Sequence, residues 1–271
     1  MLAWNAGQYA NAAAQTVGAG YSTPATQFFS RITDPGTTRK NLYAALIDGL
    51  VADGVWSLLD ALWLHASDIV ATAKVNLTSS SYLCTQYGTV TFTADRGIAG
   101  DGSTGYFATG FIPSSVGGNY ALNSASYGVY DRTSSTASDA LTQIGAQDSS
   151  NNRSFLLLNW TGLIADINAS GLGSAITNSQ HQGSWALSRT TSSLTTVYKN
   201  GSAFGTNTPA SAALTTVQFY ICARNLSNAG YGYSTDQLAA SWIGGGFTTT
   251  QLAALQARIN TYMTGIGANV Y

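Results

Sequence analysis

The chain has 271 residues, of which 45% are hydrophobic and only 8% charged, with a formal net charge of −1. This is room for one large all-β domain with accessory segments, or for two small domains. Near-neutrality excludes long-range attraction to nucleic acid or an anionic membrane surface, and no run approaches the roughly 18 apolar residues of a membrane span.

The 12 acidic residues are all Asp, and the only lysines are Lys40, Lys74 and Lys199. Ser, Thr, Asn, Gln and Gly carry the polarity instead. Such a surface hydrogen-bonds without strong fields, and it suits an assembly or a glycan-rich exterior better than a free monomer.

Residues 1–30 hold no charge, and their aromatics Trp4, Tyr9, Tyr21, Phe28 and Phe29 follow no period. They read as an extended arm that packs on another protein, or as a loose terminus. Met1 to Gly7 lack a basic n-region and a continuous apolar core, so no signal peptide is expected. Thr33, Asp34, Pro35 and Gly36 mark a turn. Leu42, Leu46 and Leu50 then recur every four residues, predicting a helix over 38–52 stopped by Gly54.

The apolar run 55–65 fits a buried strand, with a helical start as the alternative. From there to about residue 245 the pattern is β throughout. Strands are predicted at 90–93, 106–109, 126–130, 142–146, 154–159, 163–168, 184–188, 194–198, 218–223 and 239–243. Thr161-Gly162 and Asn200-Gly201 predict hairpins, because Asn-Gly accepts positive φ at both turn positions. The chain closes on a helix over 248–263. Thr248 and Gln251 form a capping box, Leu252, Leu255, Ile259 and Tyr262 share one face, and Gly265 is the expected stop.

The runs Ser184 to Arg189, Thr196 to Gly201 and Phe219 to Asn225 resemble the central strands of laminin-G-like, concanavalin A-like jelly rolls. Trp242 to Thr248, with Gln251 and Leu252, resembles the closing strand and helix of that family. Leu50 to Trp63 and Thr93 to Thr104 resemble the lead-in of such domains in phage and prophage virion proteins. The resemblance spans residues 37–271. It implies an all-β, two-sheet antiparallel jelly-roll sandwich with an N-terminal arm and helix and a C-terminal helix. The expected division is an arm at 1–36, for virion anchoring or subunit contact, a helix at 37–54 and the jelly-roll domain at 55–271.

Fold alone does not choose a function, so the chemistry is read from the residues. Glycosidases of this architecture use paired carboxyls, usually Glu. This chain has no Glu, and no Asp pair alternates on a predicted strand. His65 ends an apolar strand and His181 lies in a polar loop; no Gly-x-Ser-x-Gly elbow accompanies them. Gly100 to Gly105 spell G-x-G-x-x-G, but a strand follows where dinucleotide binding needs a helix. Cys84 and Cys222 are 138 positions apart and read as free buried thiols or one disulfide, with no zinc spacing. No cofactor is expected; calcium, common at the rim of laminin-G-like domains, would need Asp95, Asp101, Asp131 and Asp148 to converge.

Glycan contact needs aromatic faces beside amides and hydroxyls. The candidates are Tyr231, Tyr233, Asn225, Asn228, Tyr130 and Trp160, with the polar, Gly-rich loop 225–233 foremost; packing between subunits is the competing reading. The expected function is a non-enzymatic phage virion component, a fibre, spike or decoration protein. It would be anchored to other virion proteins through Trp4, Tyr9, Tyr21, Phe28 and Phe29. It is expected to be made in a host bacterial cytoplasm, to form a homo-oligomer and to display a lectin-like domain to host glycans. The alternatives are a stand-alone glycan-binding module and a polysaccharide hydrolase with an unfamiliar Asp pair.

Overall fold

The computed structural model describes residues 20–271; Trp4 and Tyr9 lie outside them. The chain begins with helices α1 (Thr23–Phe29) and α2 (Thr37–Ala52). A short 3-10 turn, Trp56–Leu58, leads into β1 (Leu59–Leu64), followed by the one-turn helix α3 (Val70–Ala73). The strands β2 (Thr85–Tyr87), β3 (Val90–Thr93), β4 (Gly97–Gly100), β5 (Tyr106–Ala108) and β6 (Ala125–Asp131) come next. They are followed by β7 (Thr142–Gln147), β8 (Arg153–Leu157), β9 (Ile164–Ala169), β10 (Gly183–Arg189), β11 (Thr195–Lys199) and β12 (Ser202–Asn207). The last are β13 (Tyr220–Ile221), β14 (Arg224–Leu226), β15 (Ala229–Tyr231), β16 (Leu238–Gly244) and helix α4 (Thr249–Gly265).

The strands form two eight-stranded sheets. The first runs β12-β11-β10-β6-β16-β4-β3, with β1 also on β16; the second runs β15-β14-β7-β13-β5-β2, with β8 on β7 and β9 on β8. All strand pairs are antiparallel except β14 with β7. The expected all-β, two-sheet jelly-roll sandwich is therefore present.

Period-two alternation explains the packing. Trp63, Tyr127, Val129, Trp185, Leu187 and Ile243 of the first sheet meet Phe107, Ile144, Leu156, Ile167 and Ile221 of the second in the sandwich interior. Their chain neighbours Leu62, Leu64, Tyr130, Ala186, Ala240 and Trp242 point the opposite way, into a second core shared with α1, α2 and α4. The central strands β1, β6, β10 and β16 are thus buried on both faces, while the edge strands β3 and β12 are largely exposed. The helix layer comes from the α2 face Tyr43, Leu46, Ile47 and Leu50 and the α4 face Leu252, Leu255, Ile259 and Tyr262. Full burial of each of these side chains stabilises by roughly 1.5–3 kcal/mol before entropy.

The arm expectation is corrected for the described residues. Phe28 is fully buried, edge-on to Tyr43 at 5.1 Å, and Tyr43 stacks on Tyr262 at 5.3 Å. Phe29 packs against the same core, while Tyr21 leans on Phe29 at 4.9 Å and donates to Asn41 Oδ1 at 2.9 Å. These aromatics find their hydrophobic partner on α2 of their own chain. The sequence reading missed this because α1 is too short to show a period.

The expected capping box of Thr248 and Gln251 is formed. Gly265 is not the stop: α4 includes it, and the chain reverses at Gly267, φ +65°. At the β11–β12 hairpin Asn200 and Gly201 have φ +51° and +83°. Gln256 of α4 holds that turn by accepting from Gly201 N at 2.7 Å and donating to Ser184 O at 2.7 Å. Gly201→Val should therefore lower unfolding free energy by about 1–2 kcal/mol through a left-handed β-branched residue. Urea denaturation should show a lower midpoint at unchanged slope; an unchanged midpoint would contradict this reading of the turn.

Candidate functional site

Helices cover the outer face of the first sheet's central strands; on the outer face of the second, Phe155, Leu157 and Ile164 are only 1–5% exposed, with exposed side chains around them. Alternation places Arg153, Phe155 and Leu157 of β8 there, opposite the inward Leu156. On the neighbouring hairpin, Arg224 of β14 pairs directly across from Tyr231 of β15. The hairpin turns at Ser227 and Asn228, φ +51° and +74°, an arrangement suited to tight antiparallel strands.

These side chains line a recess of about 260 Å³ together with Thr142, Gln147, Trp160 and Leu172. Trp160 and Tyr231 remain 44% and 52% exposed at its border, an unusual position for rings of that size. Trp160 sits at the tip of the β8–β9 hairpin, where its N–H donates to Gly162 O at 2.9 Å. Asn159 ties this tip to the preceding loop, donating to Thr136 O at 3.1 Å and Ala137 O at 2.9 Å. β7 crosses the floor at Gly145, where any Cβ would lie 2.4 Å from that of Phe155. Its missing side chain lets Phe155 lie flat against the strand.

The Arg224 guanidinium carbon is 4.4 Å from the Phe155 ring centroid and 4.9 Å from that of Tyr231. Burial draws its pKa below the ordinary arginine value, and Arg153 adds to that shift. Arg153 donates to Asn151 O at 3.3 Å and Ser170 O at 3.2 Å. Among the described residues neither arginine is in a salt bridge. Asp166 is the nearby carboxylate. It is 1% exposed, with Oδ1 accepting from Gly173 N at 3.0 Å and Asn207 Nδ2 at 3.2 Å, and burial raises its pKa to about 6. The same sheet face continues into a tyrosine cluster: Tyr106 stacks on Tyr87 at 5.2 Å and on Tyr220 at 4.1 Å.

Of the residues expected from sequence, the recess brings together Trp160 and Tyr231. Tyr233 belongs to the adjoining cluster, 6.2 Å from Tyr106, and Asn228 is at the exposed tip of the β14–β15 turn. Two expectations are corrected. Asn225 is fully buried, its side chain donating to Gln218 O at 2.9 Å and accepting from Asn228 N at 2.7 Å, so it shapes the turn. Tyr130 is fully buried beneath the helix layer of the other sheet, donating to Asn260 Oδ1 at 2.7 Å. The segment 225–233, expected as a loop, is largely a hairpin. Arg153, Phe155, Gln147 and Arg224 were missed. The outward alternation Arg153-x-Phe155-x-Leu157 was a usable signal; the pairing of Arg224 with Tyr231 needed the turn position.

A second recess, of about 400 Å³, lies between Gln27, Ser30 and Arg31 of the α1 region and Thr78, Ser79 and Ser80. It has no exposed aromatic.

The other candidate chemistry is internal. His65 is fully buried between Ala73 O at 2.9 Å and Ser241 Oγ at 2.8 Å, and burial lowers its pKa to about 4. Asp131 and Asp236 are coupled but 0% and 2% exposed, so this acidic pair meets no substrate. Cys84 and Cys222 are free and buried, which pushes both thiol pKa values up. The four aspartates considered for calcium do not converge. Asp95 pairs with Arg39, Asp101 caps its own turn at Ser103, Thr104 and Gly105, Asp131 is interior and Asp148 caps the β7–β8 turn. Among the described residues no group of three His, Cys or Asp is placed to hold a metal, and no helix is long and apolar enough to cross a membrane.

No protein-family model matches the sequence, and no curated protein matches it. Solved structures do. One is domain 4 of AbnA, a GH43 extracellular arabinanase from Geobacillus stearothermophilus, in complex with arabinotriose. It is 17% identical, with a TM-score of 0.44 over 72% of this chain and 99% of that one. Another is the Ruminococcus gnavus IT-sialidase CBM40 bound to α2,3-sialyllactose, at 12%, 0.39, 65% and 96%. A third is the botulinum neurotoxin serotype D binding domain, at 10%, 0.48, 74% and 52%, so the match spans about half of that chain.

The buried cluster of His181, Asp236 and Asp131 sets a pH dependence. His181 Nδ1 is 2.9 Å from Asp236 Oδ2 and Nε2 is 3.0 Å from Ala137 O, two acceptors that favour imidazolium. Burial lowers the His181 pKa, but pairing with Asp236 outweighs it and the net shift is upward. Burial first, then Asp236, hold the Asp131 carboxyl well above the carboxylate range. Both groups retain protons longer folded than unfolded. Their contributions are therefore present at lower pH and lost as pH rises through the raised values. Melting temperature should fall as pH rises above the ordinary histidine value of about 6.5, and Asp131→Asn should remove the part of the fall that begins lower, above the ordinary aspartate value of about 3.9. A wild-type melting temperature that rises across this window would contradict the assignment.

Proposed function

We propose that this chain is a non-catalytic glycan-binding module and that the recess of the second sheet is its binding site. The observation that carries the reading is the placement of Trp160 and Tyr231. Two large, exposed rings border one recess on the outer sheet face, with charged and amide groups between them. Sugar C–H groups stack on such rings while hydroxyls pair with neighbouring polar groups; a few placed polar groups amid apolar lining is the usual composition of a ligand site. The backbone beneath is strand and tight hairpin, so the rings are held in place before a ligand arrives.

In a glycan array followed by calorimetry on the full chain, Trp160→Ala and Tyr231→Ala should each weaken binding roughly tenfold, about 1.4 kcal/mol. Melting temperatures should change little, because both side chains are half exposed. Binding undiminished in both variants would exclude the recess.

One observation favours display of this module on a virion, as the resemblance implies: the 22 residues ahead of α1 carry no charge. In that setting many weak sites would act together. The test removes residues 1–19 and leaves Phe28 in its core. Loss of particle incorporation with glycan binding retained would support the setting, and normal incorporation would contradict it.

A further inference from the structure

The charges in the recess narrow the ligand, provided the glycan-binding reading holds. This chain gives its other buried guanidinium a full set of partners. Arg189 is fully enclosed and donates to four carbonyls: Ile167 O at 3.0 Å, Thr191 O at 3.3 Å, Ser192 O at 2.9 Å and Pro209 O at 2.8 Å. Arg39, Lys40 and Arg258 each pair with an aspartate. Arg224 is different. Its guanidinium lies against the rings of Phe155 and Tyr231, while its Nε is shut off from water with no acceptor among the described residues.

A desolvated cation without a partner is costly, and a guanidinium fork matches an oxyanion geometrically. Arg153 lines the same recess and adds a second positive charge. Asp166 offsets one of the two; its Oδ1 is held by Gly173 and Asn207, and its Oδ2 has no partner among the described residues. The recess therefore keeps a net positive balance in a protein whose formal charge is −1. Gln147 supplies the complementary group. It is 8% exposed, its Nε2 is used on Asn151 Oδ1 at 2.7 Å, and its Oε1 has no donor. That oxygen is placed to accept from a hydroxyl.

We propose that the recess selects saccharides bearing an anionic group, a carboxylate or a sulfate ester. Arg224 holds the oxyanion, Arg153 reinforces it, Gln147 takes a neighbouring hydroxyl, and Trp160 and Tyr231 pack on the ring.

The test is calorimetry on the full chain with a short oligogalacturonate, its neutral methyl ester, and a sulfated galacto-oligosaccharide beside its unsulfated parent. The expected result is at least tenfold tighter binding of an acidic member than of its neutral counterpart. Arg224→Gln should abolish that preference, Arg153→Gln should reduce it, and Trp160→Ala should weaken both members of a pair. Preference for the oligogalacturonate assigns a carboxylate, and preference for the sulfated chain assigns a sulfate ester. Arg153→Gln, at a more exposed side chain, keeps the test valid if Arg224→Gln unfolds. Neutral and acidic members bound equally, with no effect of either arginine variant, would overturn the charge assignment and leave the glycan-binding reading standing. No binding of any saccharide, there or across the glycan array, would overturn both.

Discussion

Burial of the first sheet's central strands on both faces is the constraint on which the rest of this structure depends. Its strands carry large apolar side chains in both directions, Tyr127 and Trp185 toward the second sheet and Tyr130 and Trp242 toward the helices. Neither face can be left in water, so the sandwich needs α1, α2 and α4 as a third layer. The consequence is functional. No helix packs on the second sheet among the described residues, and the half-exposed aromatics Trp160, Tyr231 and Tyr87 border its outer face.

Inside, Arg189 is satisfied by carbonyls, His181 by Asp236 and a carbonyl, and His65 by Ala73 and Ser241. At the recess, Arg224 Nε and Gln147 Oε1 have no partner among the described residues, as is also true of Tyr43, Asp131 and Trp242 in the interior. Buried polar groups normally find partners because leaving them alone costs about 1–3 kcal/mol each. The glycan-binding proposal takes the two at the recess, beside exposed rings, as contacts for a polar ligand. The supports of the recess are short-range: the Ser227–Asn228 turn sets Arg224 under Tyr231, Gly145 makes room for Phe155, and Asn159 holds the tip that carries Trp160.

Much of the architecture was legible because periodicity reports burial directly. The regular strands around 126–130, 184–188 and 239–243, the Asn200-Gly201 hairpin and the capped final helix were all visible in local pattern. β2, β4 and β15 were not, being three or four residues long and rich in Gly or polar side chains. The burial of Phe28 was invisible because a seven-residue helix shows no stripe. Exposed and buried tyrosines also look alike in sequence: Tyr231 sits on an edge strand and Tyr130 under a helix, and only strand order separates them. For the recess, the aromatic half could be read from composition, but the cationic half required knowing which strands lie side by side.

The most direct test of this account is a backbone amide NMR titration of the full chain with whichever saccharide it binds. The account predicts shift changes confined to β7, β8, the 158–162 hairpin tip, β14 and β15. Changes centred instead on the 78–80 recess beside α1, or on the helix layer over the first sheet, would contradict it.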